Sequence, residues 1–238
     1  MARGKRVDMS GTLAFGNPPI AVDLRHSARS RRLSLRVSRL DGKVTLTMPP
    51  RTPRRAAEAF LADREDWLRF HLAEVSPAHP VRIGGQVPVR GHALPVRGAP
   101  VRRARLTAEA IEVPEDGRAT GTKVAALLKL QARDALAAAS DRYAAALGRR
   151  YARITLRDTR SRWGSCSLRG TLMYSWRLIM APPEVLDYVA AHEVAHLVEM
   201  NHSPAFWAVV TRLIPDYAER RDWLRREGSA LHRIDFED

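Results

Sequence analysis

Apolar and polar residues alternate between residues 33 and 48 with the two-residue period of half-buried β-strands. The apolar positions of the two runs are Leu33, Leu35 and Val37, then Val44, Leu46 and Met48. Asp41-Gly42 lies between the runs and is a dipeptide favoured in two-residue hairpin turns. The pattern therefore predicts a β-hairpin with this turn.

Longer stretches follow the helical period of 3.6 residues. Thr52-Pro53 offers an N-cap and a first-turn proline, and the apolar residues that follow, Trp67 among them, predict one helix to about residue 74. The Ala-rich stretch 122–147, ended by Gly148, predicts a long packing helix.

The C-terminal half mixes short strands with helices. Strands are predicted at 153–157 and 171–176, and helices from Pro183 to about Met200, from Pro204 to about Leu213 and from Asp216 to about Gly228. Residues 76–118 are rich in Pro and Gly and predict small strands and loops. We therefore expect an α+β protein with three parts: a flexible tail (1–20), a β-rich N-terminal domain with one helix (21–118) and a C-terminal domain (119–238).

Composition limits the class of protein. The chain has 238 residues, of which 45% are hydrophobic, so it can bury a sizeable core. Neither a run of about 18 apolar residues nor a secretion signal is visible, which predicts a soluble, cytoplasmic protein. Cys166 is the single cysteine, so an internal disulfide is excluded.

The net charge of +14 has two explanations. Almost all of the basic residues are arginine, and a GC-rich coding bias would produce the same excess of arginine. Net charge by itself is informative mainly about solubility. Alternatively, basic surfaces attract nucleic acid or nucleotides through counterion release. The charge leaves both explanations open.

The segment His192-Glu193-Val194-Ala195-His196 carries the most specific chemistry. Residues four apart on a helix lie one turn above each other, so both imidazoles can reach one ion. A catalytic zinc site takes three protein ligands and leaves one position open. His202 follows just beyond Asn201, a residue suited to a left-handed helix cap, and is the candidate third ligand of a single Zn²⁺.

The surrounding helix is apolar nearly all round, which argues against solvated histidines. Burying two histidines and a carboxylate without partners costs several kcal/mol, and a divalent cation supplies the partner. Zinc lowers the pKa of a bound water to about 7, so Glu193 is the candidate catalytic base of a hydrolase.

Motifs around this helix resemble the YgjP-like (DUF45) metallopeptidase family, which is related to SprT-like and WLM zinc peptidases. The residues that carry the resemblance are Ser161-Arg162-Trp163-Gly164-Ser165-Cys166, Ser175-Trp176-Arg177-Leu178-Ile179, the segment from Tyr188 to Leu197, and Asn201-His202-Ser203-Pro204-Ala205-Phe206-Trp207. The resemblance implies a zincin-like fold with His192, His196 and His202 as metal ligands and Glu193 as the catalytic residue.

The loop Ser161 to Ser167 has two interpretations. It forms a wall of the active site in which Arg162 binds a substrate anion, or it is a tight turn at Gly164 with Trp163 and Cys166 as buried packing residues.

The metzincin class shares the histidine spacing but has Gly where this chain has Glu199, which disfavours that class.

We therefore expect a zinc metallopeptidase that acts on peptides or proteins. Two rivals keep the same metal site. One hydrolyses a phosphoanhydride such as a nucleoside triphosphate, and the other is a DNA-associated protease of SprT-like type, for which salt-dependent DNA binding is the discriminating observation.

Overall fold

The computed structural model describes residues 11–38, 41–73 and 78–238. The chain divides between Ala78 and His79 into two compact units. Each unit has its own hydrophobic core.

The first unit contains a four-stranded sheet. Its strands are β1 (Thr12–Phe15), β2 (Ile20–His26), β3 (Ser34–Val37) and β4 (Val44–Met48), in the order β1-β2-β4-β3. Burial alternates along β4, so that Val44, Leu46 and Met48 face the core. The sheet thus follows the apolar alternation of the sequence.

The predicted hairpin is present as the antiparallel pair β3 and β4, with Val37 opposite Val44. Its connection is longer than predicted. Ser38 N donates to Lys43 O at 2.9 Å, so the connection between these two paired residues is longer than Asp41-Gly42. Residues 39 and 40 lie outside the described residues.

The helix predicted to run from Thr52 to about residue 74 is two helices, α1 (Arg54–Ala62) and α2 (Glu65–Ala73). The acidic pair Glu65 and Asp66 occupies the first turn of α2, where negative charge is favourable, so the sequence restarts a helix there. Trp67 was assigned to the apolar face but is 42% exposed.

The second unit begins with small strands, as the Pro- and Gly-rich sequence predicts. They are β5 (His79–Pro80), β6 (Gln86–Val89), β7 (His92–Ala99), β8 (Arg105–Leu106) and β9 (Ile111–Pro114), of which four form a sheet in the order β6-β7-β9-β8. Their buried residues, such as Val87 and Ile111, share one core with the C-terminal helices. This packing groups residues 79–118 with the C-terminal part, in place of the expected boundary at 118/119.

The remaining elements of the second unit surround the candidate site. They are α3 (Thr120–Ala146), β10 (Arg153–Arg157), β11 (Gly164–Cys166), β12 (Thr171–Ser175), a 3-10 turn (Trp176–Met180), α4 (Pro183–Ala195), α5 (Pro204–Leu213), α6 (Tyr217–Leu231) and β13 (Ile234–Asp235). β12 is the centre of the sheet β10-β12-β11, and β13 pairs with β5. The chain is therefore a mixed helix and sheet protein.

Two sequence predictions need correction. Residues 12–15 of the expected tail form β1, which pairs with β2, whereas residues 1–10 lie outside the described residues. The helix expected to reach Met200 ends at Ala195. Over the described residues, no helix has the length and apolar character needed to cross a bilayer.

Candidate metal centre

The last turn of α4 carries His192 and Glu193, and His196 is its C-cap. The C-cap keeps right-handed helical dihedral angles (φ −64°, ψ −14°), so the one-turn relation between the two histidines is preserved. Their ring centroids are 5.1 Å apart.

His202 approaches this pair from the segment between α4 and α5. Its Nε2 lies 3.0 Å from Nε2 of His192, and its ring centroid is 4.8 Å from that of His196. One nitrogen from each of the three rings lies within 4.8 Å of the others. The structure therefore brings all three predicted ligands together.

The chain reaches His202 by a different turn from the one expected at Asn201. Among the described residues, the non-glycine residues with positive φ are Arg90 and Ala119, so Asn201 is not a left-handed cap. Instead, Val198 N and Glu199 N both donate to Ala195 O at 3.0 Å, which tightens the chain directly after α4. The chain therefore turns at this earlier helix end, and the turn brings His202 to the other two histidines.

The ring of His196 is held by the backbone. Its Nδ1 donates to Glu199 O at 2.9 Å, which places the proton on Nδ1 and leaves Nε2 as a lone-pair donor. Phe206 packs against the ring at 4.5 Å and lies within 5 Å of the other two imidazoles. Phe206 is fully buried and packs against all three rings.

The electrostatics favour neutral imidazoles. Burial, together with charge repulsion from His196 and His202, lowers the pKa of His192 to about 3. Burial also lowers the pKa of His196. Neutral imidazole is the form that binds a metal.

Glu193 is 5% exposed and lies beside this cluster. Burial raises its pKa to about 8, and the positive charge of Arg162 opposes that rise. Its Oε2 has no hydrogen-bond partner among the described residues. A nearby cation stabilises an ionised carboxylate, so a metal on the three histidines would offset the burial of Glu193.

The donor set fits a divalent transition-metal ion. A tetrahedral zinc ion with Zn–N bonds of about 2 Å holds its ligand atoms about 3.3 Å apart. The 3.0 Å separation of the His192 and His202 nitrogens is close to that value. These three histidines are the residues that would hold the ion.

The Ser161 to Ser167 loop contributes to the site through Gly164. A Cβ on Gly164 would lie 2.5 Å from Oε1 of Glu193, so a glycine is required for β11 to pass this close. Gly164 belongs to a strand and has no positive φ, which rules out the tight turn considered for it.

Two other residues of that loop, Trp163 and Cys166, are partly buried and partly exposed. Trp163 stacks on His232 with ring centroids 4.9 Å apart and also lines a cleft beside Glu193. Cys166 is half-buried, burial raises its pKa to about 11, and it is not part of the histidine cluster.

The cleft has a volume of about 310 Å³ and an apolar and cationic lining. Its lining residues are Trp163, Gly164, Tyr188, Val189, His192, Glu193, Arg221, Leu224 and Arg225. Sequence reasoning did not assign Tyr188, Arg221, Leu224 or Arg225 to the site. Arginine and leucine on a C-terminal helix carry no local signal that separates a cleft wall from an ordinary surface.

A three-histidine cluster beside a buried glutamate is the arrangement of metal-dependent peptidases. A family model described as "YgjP-like, metallopeptidase domain" matches residues 31–227. This chain belongs to the YgjP-like metallopeptidase family, as its motifs indicated. No curated protein matches the sequence.

One solved structure that resembles the chain is the crystal structure of the metallopeptidase zymogen of Pyrococcus abyssi abylysin. The two share 21% sequence identity with a TM-score of 0.35. The match covers 39% of this chain and 95% of the other.

Proposed function

We propose that the chain is a zinc-dependent peptidase in which His192, His196 and His202 hold the ion and Glu193 is the general base. The convergence of three imidazole nitrogens next to one buried carboxylate carries this proposal. Zinc, when bound, supplies a Lewis acid that acidifies water and polarises the scissile carbonyl.

The protein's own groups would then perform the proton transfers. Glu193 accepts a proton from the attacking water and passes it to the leaving amine. Phe206 and the Glu199 carbonyl keep the imidazoles fixed during the reaction.

The test separates metal binding from turnover. We expect Glu193→Gln to retain one zinc per chain but lose peptidase activity by a factor of about 1,000 or more, because the proton acceptor is gone. We expect His196→Ala to lose the zinc. Metal content by mass spectrometry and cleavage of an unfolded protein measure the two effects.

Matched controls lie in the same unit. Glu184→Gln changes an exposed carboxylate in the first turn of α4, and His92→Ala removes an exposed histidine on β7. Both should keep zinc and activity. Full activity of Glu193→Gln would refute the assignment, and phosphate or pyrophosphate release from nucleoside triphosphates without peptide cleavage would favour the phosphoanhydride rival.

A further inference from the structure

The cleft beside Glu193 has two arginines on one wall. Arg221 and Arg225 are four residues apart on α6, so they lie one turn apart on the same face, and both line the cleft. Both guanidinium groups therefore add positive charge to the same wall of the cleft.

Arg221 is held in place by aromatic rings. Its guanidinium carbon lies 5.4 Å from the ring centre of Trp207 and 5.8 Å from that of Tyr217. These two rings are stacked at 5.1 Å, and Tyr217 is stacked on Tyr188 at 6.3 Å. Such stacking orients a planar guanidinium without using its N–H donors.

The guanidinium group of Arg221 has a hydrogen-bond donor without a partner among the described residues. Its Nε is buried and has no hydrogen-bond partner within the described part of the chain. The neighbouring Arg220 pairs with Asp216 at 2.6 Å, whereas Arg221 forms no such ion pair with any described carboxylate. Arg225 has only a long contact of 3.6 Å with Asp222.

This wall is connected to the metal ligands. Tyr188 lies one turn before His192 on α4, with ring centroids 5.9 Å apart. The cleft is lined by Tyr188 and His192 as well as by Arg221 and Arg225. A group bound by the arginines would therefore sit in the same cleft as the reacting bond.

We propose that Arg221, with Arg225, binds a carboxylate of the peptide substrate and thereby selects acidic substrates. A stacked arginine with free donors matches a carboxylate in a bidentate manner, and Leu224 and Trp163 offer apolar contact beside it. The carboxylate comes either from an Asp or Glu side chain or from the C-terminus of the substrate. This inference rests on the proposed peptidase function.

The cleavage experiment uses zinc-loaded full chain and a mixture of peptides, with cut sites identified by mass spectrometry. Wild type should prefer peptides with an acidic group near the cut. Arg221→Gln should reduce kcat/KM for those peptides by about 10- to 100-fold and change neutral peptides by less than about 3-fold. Arg226→Gln, an exposed neighbour outside the cleft, is the matched control and should change neither.

Substrate variants distinguish the two sources of the carboxylate. Loss of cleavage on amidation of the peptide C-terminus identifies the terminal carboxylate, and loss on Glu→Gln or Asp→Asn replacement in the peptide identifies a side chain. Arg221→Lys keeps the charge but not the planar fork and should recover only part of the preference. Equal cleavage of acidic and neutral peptides by wild type would overturn the inference.

A binding measurement keeps this inference separate from the proposed function. Fluorescence anisotropy with zinc-loaded Glu193→Gln should show tighter binding of an acidic peptide than of its neutral variant, and Arg221→Gln should remove the difference. Such binding without any cleavage by wild type would contradict the peptidase function but support the carboxylate site. If wild type cleaves peptides but Arg221→Gln binds the acidic peptide as tightly as its parent does, the peptidase function stands and the carboxylate site is contradicted.

Discussion

Single residues set the geometry around the candidate catalytic glutamate. Glu193 reaches its position because the residue opposite it on β11 has no side chain. The sequence suggested Gly164 as a turn residue, but the structure shows that its role is steric. A glycine at a close approach can be recognised only when both partners are in place.

A methyl group at this position tests that role. We expect Gly164→Ala to displace the Glu193 carboxylate and reduce kcat/KM on the order of 100-fold. Moving a catalytic group by about 1 Å has an effect of this size on the rate. Zinc content should stay unchanged. Gly11→Ala, where the added Cβ meets no atom within 4 Å, serves as the control. Unchanged activity in Gly164→Ala would mean that the carboxylate position is not critical.

Arg177 is a second residue whose importance comes from its contacts. It is 9% exposed, pairs with Asp158 at 2.7 Å, and donates to the carbonyls of Leu231 and Ile234, both at 2.8 Å. One buried side chain thus connects the 3-10 turn to the end of α6 and to β13.

We expect Arg177→Leu to lower the free energy of unfolding by about 2–4 kcal/mol, because it leaves two buried carbonyls and a carboxylate without their donor. Urea unfolding followed by circular dichroism measures the change. Arg157→Leu removes an exposed arginine on β10 and should change stability by less than about 0.5 kcal/mol. A similar loss in both variants would exclude a specific role for Arg177.

At the scale of elements, the end of α6 packs against the site loop. His232 is the C-cap of α6 and stacks on Trp163, and Gly228 of the same helix is close enough that a Cβ would lie 3.0 Å from that indole. Burial, together with the charge of Arg177, lowers the pKa of His232 to about 4.

This packing predicts a pH dependence of stability. The unfolded chain takes up the His232 proton near pH 6.5, whereas the folded protein does so only near pH 4. Protonation therefore favours unfolding, and the free energy of unfolding should fall as the pH drops from about 6.5 to 4. His232→Gln in metal-free protein should show a smaller fall in urea unfolding, and identical pH profiles of the two proteins would contradict this assignment.

Across the whole molecule, the candidate site belongs to one unit. The three histidines, Glu193, Gly164 and the arginines of the cleft all lie between residues 79 and 238. That unit has its own core, which includes the sheet of β6 to β9. The sequence alone had suggested a boundary 40 residues later, which would have removed this sheet.

The two boundaries make different predictions for truncated chains. We expect residues 79–238 to fold cooperatively and bind one zinc, because they contain the whole core and the ligands. Residues 119–238 should unfold or aggregate, because buried residues of α3 would lose Val87, Ile111 and their neighbours. Thermal unfolding and zinc stoichiometry, with the full chain as reference, decide between them, and a well-folded 119–238 fragment would support the later boundary.

The sequence determined what depends on local geometry. Helical spacing predicted that His192 and His196 lie one turn apart, and apolar periodicity predicted α3. Pro204 marked the start of α5, and the motifs indicated the family. These features follow from hydrogen bonding and steric rules that act over a few residues. The nucleic-acid partner suggested by the charge stays a prediction.

Tertiary structure decided what depends on residues distant in the chain. It brought Gly164 against Glu193, placed Arg221 on an aromatic platform in the cleft, and packed residues 79–118 with the C-terminal helices. The contacts of Gly164 with Glu193 and of Arg221 with Trp207 each join two different elements of the chain. Their side-chain types are common on any protein surface, so only the packed chain distinguishes a wall of the site from a solvated face.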